Sequence, residues 1–325
     1  MYENDISIIV PTYNNEKTIT RLLISINLYL RSFNVDLVLV DDGSKDNTVL
    51  LEEKFDFSEN IHTKIIRSSH SGVSIARNIG IQHANGKYLM FIDGDDEIDE
   101  QIQSLLKDFE SFHSQIISFS MDTLNIHDGQ KMIGNSIADL SLSMLLSKWK
   151  GVSPNEYEMS ASNKLYLTEF IRSNDIRFDK NLKCWEDLFF NMSILQKAKS
   201  VFMKKGTIFK YNHDNLNSVT HKKSIVIIEG AKYVYKNSSN QFTNPQINRR
   251  LLKVEEAYFI SHIVGGYFVF NSDKLLYNDL LKVIPLRKET YKYSNTLHHK
   301  FILWGLYRLG FKTTILIYKM LKKMK

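Results

Sequence analysis

The stretch Lys87–Asp99, KYLMFIDGDDEID, sets an apolar run of strand length directly in front of five acidic residues. The apolar half reads as a buried strand. Carboxylates packed this closely repel one another, so the acidic half predicts either a bound cation or a strongly hydrated loop. Asp93 and Asp95 flank Gly94, where the backbone can approach a ligand closely; Asp96, Glu97 and Asp99 suit shaping the loop and capping the next helix.

The same arrangement recurs upstream. Ile6 to Val10 is a β-branched apolar run closed by Pro11, and Val35 to Val40 is another that ends in DDGSKDNT. Between them, Ile19, Leu22, Leu23, Ile26 and Leu30 have helical spacing over Thr18–Leu30. In the DDGSKDNT turn Gly43 permits a tight bend, and Asp46 or Asn47 suits a helix cap. Lys64–Ile66 predicts a third strand and SGVSIARNIGIQHA a helix before the Lys87 run. Strands alternating with helices predict an α/β protein with a mostly parallel sheet flanked by helices, and ligand groups at the carboxyl ends of the strands. Three such ends are polar, PTYNN, DDGS and DGDD, and they are expected to converge.

Farther on, the pattern predicts a helix over about Glu100 to Phe112 and a strand over Ile116 to Met121. Asp122 to Val152 is irregular apart from a helix near Leu140 to Trp149, and suits a lid or an acceptor-side insertion. NKLYLTEFIRSNDIRFDKNLKCWEDLFFNMSILQKAKSV then predicts a strand or turn, a helix, a loop and a helix. Past His221 the spacing becomes helical, which divides the chain into residues 1–221 and a helical region at 222–325.

The 325 residues are 43% hydrophobic and 24% charged, a globular composition long enough for about two domains. Cys184 is the single cysteine, so an intrachain disulfide is excluded and a cysteine zinc site is disfavoured. MYENDISIIV has acids where a leader would need bases, and the expected setting is cytoplasmic. The net charge is +6, yet the segment from Thr290 onward has eight Lys or Arg and no acid; subtracting those eight leaves −2 on the rest. Basic character therefore belongs to a tail rather than to a nucleic-acid-binding surface.

At the polar strand ends, Asp93 and Asp95 suit oxygen ligation of a hard divalent cation that in turn holds a diphosphate. The alternative is a solvated turn with a helix cap. DDGS at Asp41–Ser44 is either a plain turn or the carboxylate wall of a base and ribose pocket, with Tyr13 placed to stack on a base.

Taken together, SIIVPTYNNEKTITRLLISI, VLVDDGSKDNT, GVSIARNIGIQHANGKYLMFIDGDD and CWEDLFF resemble, in the same order, the bacterial family-2 inverting nucleotide-sugar glycosyltransferases. The resemblance covers about the first two-thirds of the chain. It implies a glycosyltransferase A-type Rossmann-like fold, a nucleotide-sugar donor, expected to be a UDP-sugar, and a divalent cation, Mn or Mg. By motif position it places Pro11, Thr12, Tyr13, Asp41 and Asp42 at the base and ribose, Arg77 at the diphosphate beside Asp93, and Asp93 and Asp95 at the metal. Asp187 takes the place of the general base, with Glu186 beside it. Adjacent carboxylates can raise one another's pKa, which suits a base, and both also suit the start of a helix.

His213, in YNHDNLNSVTHKK, is a further metal-ligand candidate, with Lys222 and Lys223 as diphosphate contacts; His70 is a weaker one. In the tail, Arg308, Lys312, Lys319 and Lys323 share one face of a helix bearing Phe301, Trp304 and Tyr307. That face suits the surface of an anionic membrane, and equally a helix packed on its own domain or in a homo-oligomer. The resulting expectation is a metal-dependent inverting hexosyltransferase, cytoplasmic or peripheral on the inner membrane face, that glycosylates a hydroxyl of a cell-envelope glycan or lipid-linked acceptor. A nucleotide-sugar-forming nucleotidyltransferase is disfavoured because PTYNNEKTIT has no glycine. A non-catalytic nucleotide-sugar-binding protein is disfavoured by the presence of Asp93, Asp95 and Asp187.

Overall fold

The computed structural model describes residues 4–107, 109–120, 129–134, 137, 159–210, 225–238, 245–264, 274–294 and 297–323. The chain divides into two compact units, Met1–Ile137 with Tyr157–Leu216, and Ala138–Glu156 with Asn217–Lys325.

The first unit is built on β1 (Asn4–Thr12), β2 (Val35–Asp41), β3 (Ile61–Arg67) and β4 (Gly86–Phe91), alternating with α1 (Ile19–Tyr29), α2 (Thr48–Glu53) and α3 (Val73–His83). After them come β5 (Glu97–Ile98), α4 (Ile102–Leu106), β6 (Ile116–Ser120), β7 (Gln130–Ile133), β8 (Lys164–Leu167), α5 (Thr168–Ser173), α6 (Glu186–Lys197), β9 (Ser200–Lys205) and β10 (Phe209–Lys210). Among the described residues the main sheet has the order β3-β2-β1-β4-β8-β6-β9-β7, and β5 pairs with β10 in a separate ladder. Strands β1 to β4 are mutually parallel and β6 is parallel to β9, whereas β8 and β7 run antiparallel to their neighbours.

Residues of β2 are buried along its whole length and β1 nearly so, because helices cover both faces; this is why their sequences are continuous apolar runs rather than alternations. On one face Ile6, Ile8 and Val10 join the α1 residues Ile19, Leu22, Leu23 and Ile26 in the core. The opposite face carries an aromatic cluster in which Phe178 stacks on Phe190 at 3.8 Å and Phe91 meets both edge-on. Each such side chain contributes roughly 1.5–3 kcal/mol through burial. Gly86 has to be glycine for steric reasons: a Cβ there would lie 2.2 Å from the Ser7 nitrogen and 2.4 Å from the Ile6 carbonyl carbon.

Two expectations change in detail. The helix expected over Glu100–Phe112 is the short α4 followed by a 3-10 turn at Phe109–Phe112. Leu105, Leu106 and Phe109 all enter the core, and Phe112 instead stacks on Phe202 at 4.0 Å, a placement that the tighter 3-10 advance allows. Within the segment expected to be irregular, Gln130–Ile133 is an edge strand with an almost wholly exposed pattern, so no alternation of apolar and polar positions marks its four residues. The helix expected at Leu140–Trp149 lies outside the described residues.

The second unit is helical in its described part, with α7 (Ile225–Asn237), α8 (Pro245–Ile263), α9 (Lys274–Val283), a 3-10 turn at Thr290–Tyr293, α10 (Leu297–Arg308) and α11 (Phe311–Lys323). The tail is therefore two helices rather than one. Gly310 takes φ +80° and its N–H, with that of Leu309, bonds back to the Gly305 carbonyl, which ends α10 in the manner of a glycine C-cap. Arg308 and Lys312 consequently stand on different helices, and the single basic face does not form. Ile302, Leu303, Leu306, Phe311, Ile315 and Tyr318 are buried within this unit, with Phe311 stacked on Tyr277, while Trp304, Tyr307, Leu316 and Met320 are exposed. Among the described residues no helix is long and apolar enough to cross a membrane.

Candidate active site

The three polar strand ends meet. Asn14 N–H donates to Ser44 Oγ at 2.9 Å and Asn15 N–H to Thr48 Oγ1 at 2.7 Å, tying PTYNN to the DDGSKDNT turn. Thr18 Oγ1 donates to the Gly94 carbonyl at 2.9 Å, which ties the same segment to DGDD. A Cβ on Gly94 would stand 2.9 Å from Asn15 Oδ1 and 3.2 Å from Thr12 Cγ2, so the Asp93–Asp95 turn is seated against the end of β1.

Pro11 and Thr12 close β1 and are buried, while Tyr13 is 42% exposed beyond them. The Tyr13 ring stacks on His70 with centroids 4.2 Å apart, and His70 Nδ1 lies 3.2 Å from an Asp42 carboxylate oxygen. Asp41 and Asp42 are both buried, and their carboxylates already hold backbone: Asp41 accepts from Gly43 and Ser44 N–H, Asp42 from Ser71 and Gly72 N–H at 2.7 and 2.8 Å. The expected free acceptors for a base or ribose are thus also the posts on which the surrounding loops are built.

Arg77 is the hub of the opposite wall. It comes from α3 and is 3% exposed. One nitrogen donates to Asp187 Oδ1 at 2.7 Å and another to Asp93 Oδ1 at 2.8 Å, and Glu186 lies 3.6 Å away. The guanidinium sits over the Phe178 ring, 5.1 Å from its centroid. Burial works against its charge, but Asp187, Asp93 and Glu186 together hold it well above the usual arginine range. Arg77, expected at the diphosphate, is the shared partner of the base candidate and a metal-ligand candidate.

Glu186 and Asp187 open α6 behind Trp185, which takes the left-handed conformation at φ +69°, a strained setting for a bulky residue. Asp187 Oδ2 also accepts from Ala161 N–H at 2.9 Å, so both of its oxygens are oriented. The upward pKa shift expected of an adjacent acid pair falls on Glu186, through its burial first and the Asp187 charge second.

A family model for glycosyl transferase family 2 matches residues 7–173, just over half of the chain. The chain belongs to glycosyl transferase family 2. The poly(ribitol-phosphate) beta-N-acetylglucosaminyltransferase TarS of Staphylococcus aureus is 30% identical over 212 residues, covering 63% of this chain and 35% of TarS. The chain thus spans about a third of the length of that relative. The S. aureus poly(ribitol-phosphate) beta-N-acetylglucosaminyltransferase TarP is 23% identical over 290 residues, 85% of each chain. A crystal structure of S. aureus TarS 1-349 in complex with UDP-GlcNAc matches with a TM-score of 0.67 at 21% identity, over 99% of this chain and 92% of that one. A mannosyltransferase from Pyrobaculum calidifontis in complex with GDP-Man and Mn2+ matches with a TM-score of 0.53 at 12% identity, over 96% and 89%. These likenesses show the glycosyltransferase A-type fold.

Against this family background, Asp93 and Asp95 fit a hard cation by donor type, oxygen only, and by the tight seat at Gly94. Among the described residues no three metal-ligating side chains converge, so two carboxylates would leave the remaining positions to phosphate and water. His213, Lys222 and Lys223 lie outside the described residues. Asp99 accepts from Gln101 N–H at 2.9 Å and Glu97 pairs with Arg21, consistent with loop-shaping roles. Sequence reasoning missed the Ala161 N–H, the Phe178 platform and the Ser71–Gly72 N–H pair; a backbone donor or an aromatic 101 positions from Arg77 leaves no local pattern to find.

Proposed function

We propose that the chain is a metal-dependent inverting glycosyltransferase that moves a sugar from a UDP-type donor to a hydroxyl of a cell-envelope polymer. The observation that carries this reading is the single buried Arg77 joining Asp187 to Asp93. An inverting displacement needs a base on the acceptor side and charge compensation on the leaving-group side, within one sugar's reach of each other. TarS and TarP are named for N-acetylglucosamine transfer to poly(ribitol phosphate), so UDP-N-acetylglucosamine and a polyol-phosphate acceptor are the first substrates to test.

In this mechanism Tyr13 stacks on the base, and Asp41 and Asp42 hold the loops around base and ribose. The acceptor oxygen attacks the anomeric carbon while its proton passes to Asp187. The bond from that carbon to the diphosphate oxygen breaks on the opposite face, and its electron pair leaves with the diphosphate. A divalent Mn or Mg, held by Asp93 and Asp95, would supply positive charge to that leaving group. Arg77 orients Asp187 through one nitrogen, and on donor binding it can exchange Asp93 for a phosphate oxygen.

A thermal-shift panel of nucleotide-sugars with Mn or Mg tests the reading, since a ligand bound only by the folded state raises its stability. The expected result is a metal-dependent shift for a UDP-sugar that Asp95→Ala weakens. No shift for any nucleotide-sugar would overturn it.

A further inference from the structure

Asn191 lies one helical turn after Asp187 on α6 and is completely buried. A helical side chain leans toward the amino terminus, so this amide reaches back over the turn that Asp187 occupies. Its Nδ2 donates to the Met159 carbonyl at 2.8 Å, to the Ser160 carbonyl at 3.2 Å and to the Asp187 carbonyl at 3.1 Å. Its Oδ1 accepts from the Tyr166 hydroxyl at 3.1 Å. The reverse orientation of the amide would set its oxygen against three carbonyls.

The segment that Asn191 grips is the one that carries the Ala161 N–H. Tyr166, fully buried on β8, also donates its hydroxyl to the Ala161 carbonyl at 3.0 Å, and Lys164 Nζ donates to the Ser160 carbonyl at 2.7 Å. Three successive carbonyls, of Met159, Ser160 and Ala161, are thus held by side chains. The Ser160 carbonyl and the Ala161 N–H belong to one rigid trans peptide plane and point in opposite directions. Fixing the carbonyl on Asn191 and Lys164 therefore aims the N–H the other way, where it meets Asp187 Oδ2 at 2.9 Å.

The consequence falls on the base candidate. A carboxylate turns broadly about its last torsion, so one donor leaves its plane soft and two donors on different oxygens fix it. Arg77 holds Oδ1 and Ala161 holds Oδ2, but the guanidinium also engages Asp93, whereas the peptide is anchored from behind. We propose that Asn191 is a positioning residue for the transfer step: with Tyr166 it fixes the Ser160–Ala161 peptide, and so holds the Asp187 carboxylate in the plane in which it takes the acceptor's proton. This rests on Asp187 being the base, as given above.

The test uses the full-length chain with Asn191→Ser, Tyr166→Phe, Asp187→Asn and the pair Asn191→Ser with Asp187→Asn. It reads turnover with a donor identified by thermal shift, and UDP affinity with Mn by calorimetry. Asn191→Ser is expected to lower kcat roughly tenfold, because small misplacements of a reacting group are costly, with UDP affinity within about twofold of wild type. Tyr166→Phe keeps the ring and removes only the hydroxyl; it is expected to lower kcat about threefold with the same selectivity, and it decides the matter if Asn191→Ser does not fold. In the Asp187→Asn background no base is left to orient, so adding Asn191→Ser is expected to cost no further activity, a non-additivity that a purely structural role would not give. Wild-type kcat in Asn191→Ser, or in Tyr166→Phe where the former does not fold, overturns the proposal. A parallel loss of UDP affinity, or an equal further loss in the Asp187→Asn background, does the same. Near-wild-type turnover by Asp187→Asn alone overturns the base reading itself, and this proposal with it.

Discussion

The guanidinium of Arg77 and the carboxylate of Asp187, 110 positions apart in the chain, are joined by a 2.7 Å hydrogen bond beneath the meeting point of the strand ends. Removing the cation leaves Asp93, Glu186 and Asp187 facing one another with no counter-charge from Arg77. Arg77→Ala is therefore expected to lower stability by about 3 kcal/mol, since stranding the partners of a buried ion is more damaging than replacing the whole pair. Urea denaturation measures this, and an unchanged midpoint would rule out the hub.

Asp187→Asn keeps the size of the side chain and one acceptor oxygen while removing its ability to take a proton. Donor affinity should stay within about twofold, and transfer should fall by roughly 100-fold or more, the span of general-base contributions. Product formation from a donor identified by thermal shift is the readout. Near-wild-type turnover would exclude Asp187 as the base.

In the helical unit, Glu255 is completely buried, accepts from Ser238 Oγ at 2.6 Å through one oxygen, and has no partner on the other among the described residues. Burial raises its carboxyl to about 8, above the value of about 4.5 expected when unfolded. Because the folded pKa is the higher one, its contribution is fully present below about 4.5 and is lost as pH rises through about 8. Thermal melts at pH 5, 7 and 9 should show a decline on the order of 3 kcal/mol across that range, and Glu255→Gln should flatten it.

Gly86 tests the sheet rather than the chemistry. Its missing side chain is where β4 crosses the backbone of Ile6 and Ser7, atoms that cannot move aside without breaking the β1–β4 ladder. Gly86→Ala should destabilise by about 3 kcal/mol, visible as a lowered Tm. A Tm equal to wild type would mean that the strands pair differently.

The half of the molecule that carries the donor-site candidates could be read from residues because its rules are local. Continuous apolar runs such as Val35–Val40 announce strands covered on both faces, and polar residues directly behind them announce a ligand edge. Arg77 was recognisable by its place in GVSIARN, yet its partners were not: Asp93 and Asp187 come from different elements, and only folding brings them to one guanidinium. The edge strand Gln130–Ile133 was invisible for a different reason, being too exposed to impose a pattern, and the ladder of β5 with β10 because two residues are too few to make one. Periodicity also misread the tail, where spacing of four, seven and four ran straight through a glycine that reverses the chain.

That glycine changes what a truncation experiment means. With Gly310 folding α10 and α11 into a hairpin whose inner residues, Leu303, Leu306, Phe311 and Ile315, are interior to the helical unit, a stop codon after Tyr293 does not trim an appendage. It opens that unit's core and leaves Tyr277 without its stacking partner. Material made that way would sediment or cling to vesicles because it is misfolded. Membrane attachment is better probed by single charge reversals on the outer surface, at Arg308 or Lys312.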